Sequence, residues 1–191
     1  MFSDRQQQII DESIKLIDTR GIQGFTIKNL SKKVGISEPG IYRHFESKFA
    51  ILSAILDSFK RDIFENQALS LNNANDPLVK LKSFGDKIFE IFVHNPALIT
   101  VIFSEEIYMN EKQLSYRINE IQTFNENLIE SLLIGLRRDK KLPDHVNIGA
   151  FILMFFGSIR LLAKKWKMSD YSFDIKTRGD ELLSSLLDII K

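Results

Sequence analysis

An all-α fold is predicted for this chain by three features of its sequence. Apolar residues recur at steps of three and four almost throughout, the spacing of one helix face. No segment alternates apolar and polar residues over several positions with β-branched enrichment, as a half-buried strand would. Short interruptions rich in glycine, proline or small polar residues divide the pattern into helix-sized pieces. With 191 residues, 44% hydrophobic and 27% charged, the chain can bury a sizeable core as one domain or two.

The first stripe, Ile9, Ile10, Ser13, Ile14, Leu16 and Ile17, is closed by Gly21. Thr26 then stands as an N-cap before Ile27, Leu30 and Val34, and Gly35 ends that short helix. Ser37 caps a third segment, shorter still, where Ile41 and Phe45 lie four apart and Pro39 is tolerated because first-turn amides have no intrahelical partner. Ser47 caps a fourth, whose Phe49, Leu52, Leu56, Phe59 and Ile63 follow steps of three, four, three and four. The polar stretch 70–76 before Pro77 is the main interruption. Further helices are expected over 77–93, 96–108, 111–138, 144–167 and 176–191.

Several function classes lack the residues they need. There is no cysteine for a disulfide, a thiolate metal site or a thiol nucleophile, and His44, His94 and His145 lie without metal-ligand spacing. No nucleophile, base and orienter stand out, and there is no glycine-rich phosphate loop, so the chain is not expected to be an enzyme or to carry a cofactor or metal. The N-terminal residues lack the apolar run of a signal peptide, and a cytoplasmic protein is expected. Residues 1–50 hold eight Lys/Arg against six Asp/Glu, a mild positive excess that permits a nucleic-acid partner there without establishing one.

The segment from Thr26 to Lys48, TIKNLSKKVGISEPGIYRHFESK, pairs a short helix, a tight turn and a second short helix. That geometry offers one helix to a DNA major groove; spacing alone leaves a plain helical hairpin equally open. Thr26, the turn Gly35-Ile36-Ser37, the run Tyr42-Arg43-His44-Phe45 and Lys48 together resemble the TetR family of transcriptional regulators, over about the first third of the chain. The resemblance implies a helix-turn-helix DNA-binding domain over 1–48, a linking helix over 47–66, and a helical effector-binding and dimerisation domain over 67–191. It further implies that Thr26 and Lys28 meet the DNA backbone, that Ser37, Glu38, Gly40 and Ile41 approach base edges, and that Tyr42, His44 and Lys48 touch phosphates. Each has a second reading: Tyr42 as core, His44 as a turn-stabilising donor, Glu38 as a first-turn residue beside a helix dipole or an acceptor from cytosine. Phe45 is assigned to the core.

The stretch 148–159, IGAFILMFFGSI, is apolar nearly all round, so both its faces need cover. Twelve residues fall well short of the roughly 20 of a membrane span. One face is therefore expected inside the domain and the other, with Ala150, Met154, Gly157 and Leu161, against a second copy of the chain. Leu183 and Leu187 of the last helix are expected to complete that dimer interface. Phenylalanine occurs 15 times, and aromatic residues at helical spacing are ordinarily core. The family resemblance nevertheless implies a cavity, for which Phe92, Phe103, Phe124, Phe155 and the polar Asn125 are the candidate lining. The expected whole is a homodimeric, ligand-responsive DNA-binding regulator that leaves a palindromic duplex operator when a small hydrophobic effector binds. A helical carrier or sensor with lost or altered DNA binding is the alternative.

Overall fold

Capping side chains set most helix boundaries in the computed structural model, which describes residues 2–73, 76–104 and 112–190, and the backbone alone for 64–73. Nine helices and no strand are found among the described residues. Helix α1 (Asp4–Gly24) opens with a capping box: Ser3 Oγ accepts from the Gln6 amide, and the Gln6 side chain accepts from the Ser3 amide. Gly21, at φ +66°, breaks its helical run where the sequence predicts a stop. Helix α2 (Ile27–Val34) begins at the Thr26 cap and ends on Gly35, and α3 (Glu38–Tyr42) begins at Ser37 with Pro39 in its first turn. Helix α4 (Lys48–Asn73) starts with the Ala50 amide donating to Ser47 Oγ at 3.1 Å.

Asp76 caps α5 (Pro77–His94), and α6 (Leu98–Ile102) is a short turn of helix within the span expected over 96–108. Residues 105–111, where that expected helix ends, lie outside the described residues. Helix α7 (Lys112–Arg138) spans 27 residues. Helix α8 (Ile148–Met168) begins four residues later than the sequence predicts, because Asn147 is its N-cap and 139–147 form a loop. The Arg137 guanidinium holds that loop by donating to the carbonyls of Val146 and Pro143. Between α8 and α9 (Ile175–Asp188), the Trp166 indole donates to the Phe173 carbonyl at 2.8 Å while Tyr171 packs edge-on against its ring.

The chain divides into two units. The first comprises Met1–Arg61 with Ala97–Glu120, and the second Asp62–Pro96 with Ile121–Lys191. In the first, α1 packs on α2 and α6, and α2 on α3. Ile9, Ile10, Ile17, Phe25, Leu30, Ile41 and Ile51 are fully buried there. The Thr100 hydroxyl donates to the Asp18 carboxylate, fastening α6 to α1.

In the second unit α5 packs most extensively on α9, and α8 packs on both. Two glycines permit the α5–α9 approach. A Cβ on Gly179 would lie 2.5 Å from the Phe89 ring, and one on Gly85 2.5 Å from Leu183. Lys82 of α5 bridges Asp180 of α9 and Asp86, and the hydrogen bond to Asp180 raises its pKa above the ordinary lysine value. Phe84, Phe151, Phe155 and Phe156 form a ring cluster with centroids 5.4–6.3 Å apart, within the range of favourable aromatic pairs. The buried stripe of α7 in this unit runs through Asn125, Ile129, Leu133 and Leu136. Leu128 and Leu132 are half-buried, because steps of four after Asn125 rotate those two off the buried face.

Gly179→Ala should therefore destabilise the protein by about 1–3 kcal/mol through overpacking. Gly135→Ala, where a Cβ would meet nothing within 4 Å, should stabilise it by up to about 1 kcal/mol through helix propensity. Urea unfolding followed by circular dichroism measures both; effects of the same sign would contradict this account of the α5–α9 contact.

Candidate nucleic-acid interface

Two hydroxyls organise the helix pair α2–α3. Thr26 Oγ1 accepts from the Asn29 amide at 3.1 Å, and Ser37 Oγ accepts from the Gly40 amide at 3.2 Å. Each oxygen commits acceptor capacity to its own helix while its O–H remains a donor for an anionic oxygen. Between the helices, Gly35 takes the left-handed conformation, φ +77° and ψ 31°, which a side chain would strain. The amides of Gly35 and Ile36 both donate to the Ser31 carbonyl, at 2.9 and 3.1 Å, and close the turn.

This turn sets which face of α3 meets solvent. Ser37, Glu38, Pro39 and Arg43 are exposed, as are Thr26 and Lys28 on the preceding element. Tyr42 is 50% exposed, so its ring is not a core residue. Phe45 is buried, as the sequence predicts. Gly40 and Ile41 require correction. Both are buried, Ile41 completely, because Ile41 lies one turn before Phe45 on the inward face of α3. Neither side of α3 can therefore offer them to base edges. A Cβ on Gly40 would sit 3.3 Å from Ile36 Cβ and Ser37 Oγ, so this glycine serves the close packing of the turn.

His44 and Lys48 are half-buried. The His44 carbonyl accepts from the Gln6 side chain at 3.3 Å, tying α1 to the end of α3. The Lys48 ammonium lies 5.2 Å from the centroid of the Phe25 ring, a cation–π contact that fixes the position of its charge. Arg43 adds an exposed cation that the motif did not single out. It lies between the tyrosine and the histidine, and exposure was the missing signal.

The residues expected to line an effector cavity are distributed unevenly. Phe92, Asn125 and Phe155 are buried in the second unit, where Phe155 belongs to the ring cluster. Phe124 is 40% exposed in the same unit, and Phe103 belongs to the first unit. Asn125 Oδ1 is buried with no hydrogen-bond partner among the described residues.

The expected dimer residues also separate. Ala150, Met154, Gly157 and Leu161 share the exposed face of α8, joined by Leu153, 75% exposed, and Met168. Leu183 and Leu187 do not lie on an outer face: both are buried within their own unit, Leu183 against the Gly85 position of α5. Their expected interface role is corrected accordingly, since the α5–α9 contact already covers that side of α9. A groove of about 510 Å³ runs between α8 and α9, with Leu161, Leu162, Phe173 and Leu182 among its lining residues.

Residues 9–55 match the family model described as bacterial regulatory proteins of the tetR family, and residues 76–191 match that for the C-terminal region of MAATS-type transcriptional repressors. The chain is similar to the fatty acid metabolism regulator protein of Bacillus subtilis, 22% identical over 185 residues that cover 96% of this chain and 94% of that protein. Its fold is that of the fatty acid degradation regulator FadR from Bacillus halodurans, with a TM-score of 0.86, 21% identity, and coverage of 98% and 96% of the two chains. The regulator FadR from Bacillus subtilis, solved in complex with stearoyl-CoA, aligns with a TM-score of 0.83, 21% identity, and coverage of 97% and 99%.

Tyr42→Ala should weaken DNA binding with little loss of stability, because half the side chain already meets water. Lys48→Ala removes both a charge and the contact with Phe25, so it should lower DNA affinity, its salt slope and the melting temperature together. Fluorescence anisotropy on the DNA upstream of the gene, with thermal unfolding alongside, checks both. A Lys48→Ala protein with undiminished salt dependence would contradict a phosphate contact.

Proposed function

Since the chain belongs to the TetR family of bacterial regulatory proteins, we propose that it is a homodimeric repressor of the cytoplasm that releases its operator when a hydrophobic effector fills the second unit. The DNA-binding half rests on the exposed and half-buried groups around α3: Ser37 and Glu38 toward the groove, with Thr26, Lys28, Tyr42, His44 and Lys48 on the backbone. Two copies would carry these helices to successive major grooves, about 34 Å apart on a palindromic duplex.

The effector-sensing half is carried by a single observation, the buried and unpartnered Asn125 Oδ1 in an otherwise apolar stripe. An unsatisfied buried acceptor costs about 1–3 kcal/mol, a cost that a bound molecule with a polar group removes. Phe92 and Phe155 in the same unit suit an apolar body for that molecule. The relative solved with stearoyl-CoA is a long-chain acyl example of such a ligand; for this chain the class proposed is a lipophilic molecule bearing a polar head. Among the described residues no helix is long and apolar enough to cross a membrane, and the exposed apolar face of α8 is assigned to the second copy.

Two outcomes test this reading. Gly157→Arg places a charge on the exposed face of α8 where a Cβ meets nothing within 4 Å, so it should leave the protomer folded and yield monomers by light scattering. A persistent dimer would contradict the assignment of this face. Asn125→Leu should raise the melting temperature of the unliganded protein while abolishing the further rise, and the DNA release, that long-chain acyl compounds cause in the parent protein. Loss of stability in Asn125→Leu with an unchanged response to ligand would remove Asn125 from the site.

A further inference from the structure

Three cations from two helices meet in one groove of the first unit. Arg20, from the last helical turn before the Gly21 break, lines it with Lys32 and Lys33 from the last turn of α2, above Leu16 and Asn29. The groove encloses about 210 Å³, and no carboxylate lines it. Among the described residues no ion pair engages Arg20, Lys32 or Lys33, whereas Lys15 on the same helix is paired with Glu12 at 2.8 Å. Like charges that line one recess repel one another, and an anion seated among them offsets that repulsion.

Basic residues at a helix C-terminus are favoured by the helix dipole, which accounts for each cation singly. It does not account for both helix ends converging on one recess. The Asn29 side chain helps fix that convergence by donating to the Gly24 carbonyl at 2.9 Å, across the link between α1 and α2.

The groove also continues a line of charge. Lys28 and Lys32 lie one turn apart on α2 and both are exposed, so their positions are separated by about 6 Å along the axis. The series therefore runs from the N-terminal end of α2, where Thr26 presents its hydroxyl, to the recess beside Arg20. The polar groups that line the recess are three cations and one side-chain amide, a set suited to an oxyanion.

We infer that Arg20, Lys32 and Lys33 form a phosphate-binding groove that grips the DNA backbone outside the bases met by α3, adding affinity without sequence preference. This rests on the DNA-binding reading and extends it to residues to which the family resemblance assigned no DNA contact. Neutralised phosphates release counterions, and each contributes about 0.9 to the slope of log affinity against log salt.

The test uses the full-length protein, a duplex from upstream of its gene and a random-sequence duplex of equal length. The variant R20Q/K32Q/K33Q should bind both more weakly, by a similar factor, with a salt slope shallower by up to about 2.7, and should keep the parent protein's preference between the two duplexes. K32Q and K33Q alone should each lower the slope by up to about 0.9, which preserves the test if the triple variant loses helical circular dichroism. An unchanged slope in variants that remain folded overturns the groove and leaves the DNA-binding reading standing. A parent protein that binds neither duplex overturns both. If inorganic phosphate at constant ionic strength raises the melting temperature of the parent but not of the variant, while the salt slopes agree, the groove holds a free anion and the DNA assignment falls.

Discussion

The presentation of the recognition surface depends on the complete burial of one side chain, Ile41. Helix α3 has only five residues, and a helix of that length has no stability of its own in water. Its structure is maintained because Ile41 enters the same core as Phe25 and Leu30, while Phe45 one turn later anchors the exit toward α4. Once that inward edge is fixed, the rotation of about 100° per residue leaves Glu38, Tyr42 and Arg43 directed to solvent. The polar face is a geometric consequence of the apolar one.

The same economy governs the caps. Thr26 and Ser37 terminate helices with their acceptor lone pairs and retain an O–H to donate. Lys48 likewise packs its ammonium on Phe25 while remaining partly exposed. Residues that secure the local fold thus also keep a donor or a charge at the surface, and the structural contact at these positions fixes where that group lies. Arg20, Lys32 and Lys33 differ, because their convergence serves no core and no ion pair among the described residues.

In the second unit the decisive constraint is the closeness of α5 and α9. Gly85 and Gly179 each face a large side chain at a distance no Cβ allows, so the inner face of α9, with Leu183 and Leu187, is consumed within the protomer. Helix α8 has apolar residues on two faces, one meeting the phenylalanine cluster and the other exposed at Leu153, Met154 and Leu161. Only the second is available to another chain. Asn125 stands apart from both as a buried acceptor without a partner, a position where apolar packing would be more stable.

The sequence by itself determined the all-helical class and the caps at Thr26, Ser37 and Ser47, because a period of three to four residues and a short polar residue before a helix are local physical facts; the helix-turn-helix followed from the family resemblance, since spacing alone fits a plain helical hairpin equally well. It also distinguished Phe45 as core and found the outward stripe of α8 from an apolar excess that one face could not absorb. Tertiary structure decided what depends on a neighbour. The resemblance assigned Gly40 and Ile41 to base edges and yet both turn inward, since burial is set by the core that α3 packs upon. Leu183 and Leu187 formed a stripe indistinguishable in sequence from an interface, and only the glycines of α5 and α9 show that the stripe is already covered. The meeting of Arg20 with Lys32 and Lys33 has no local signature at all: two helix ends come together only when α1 and α2 pack, and no spacing along the chain encodes the distance between them.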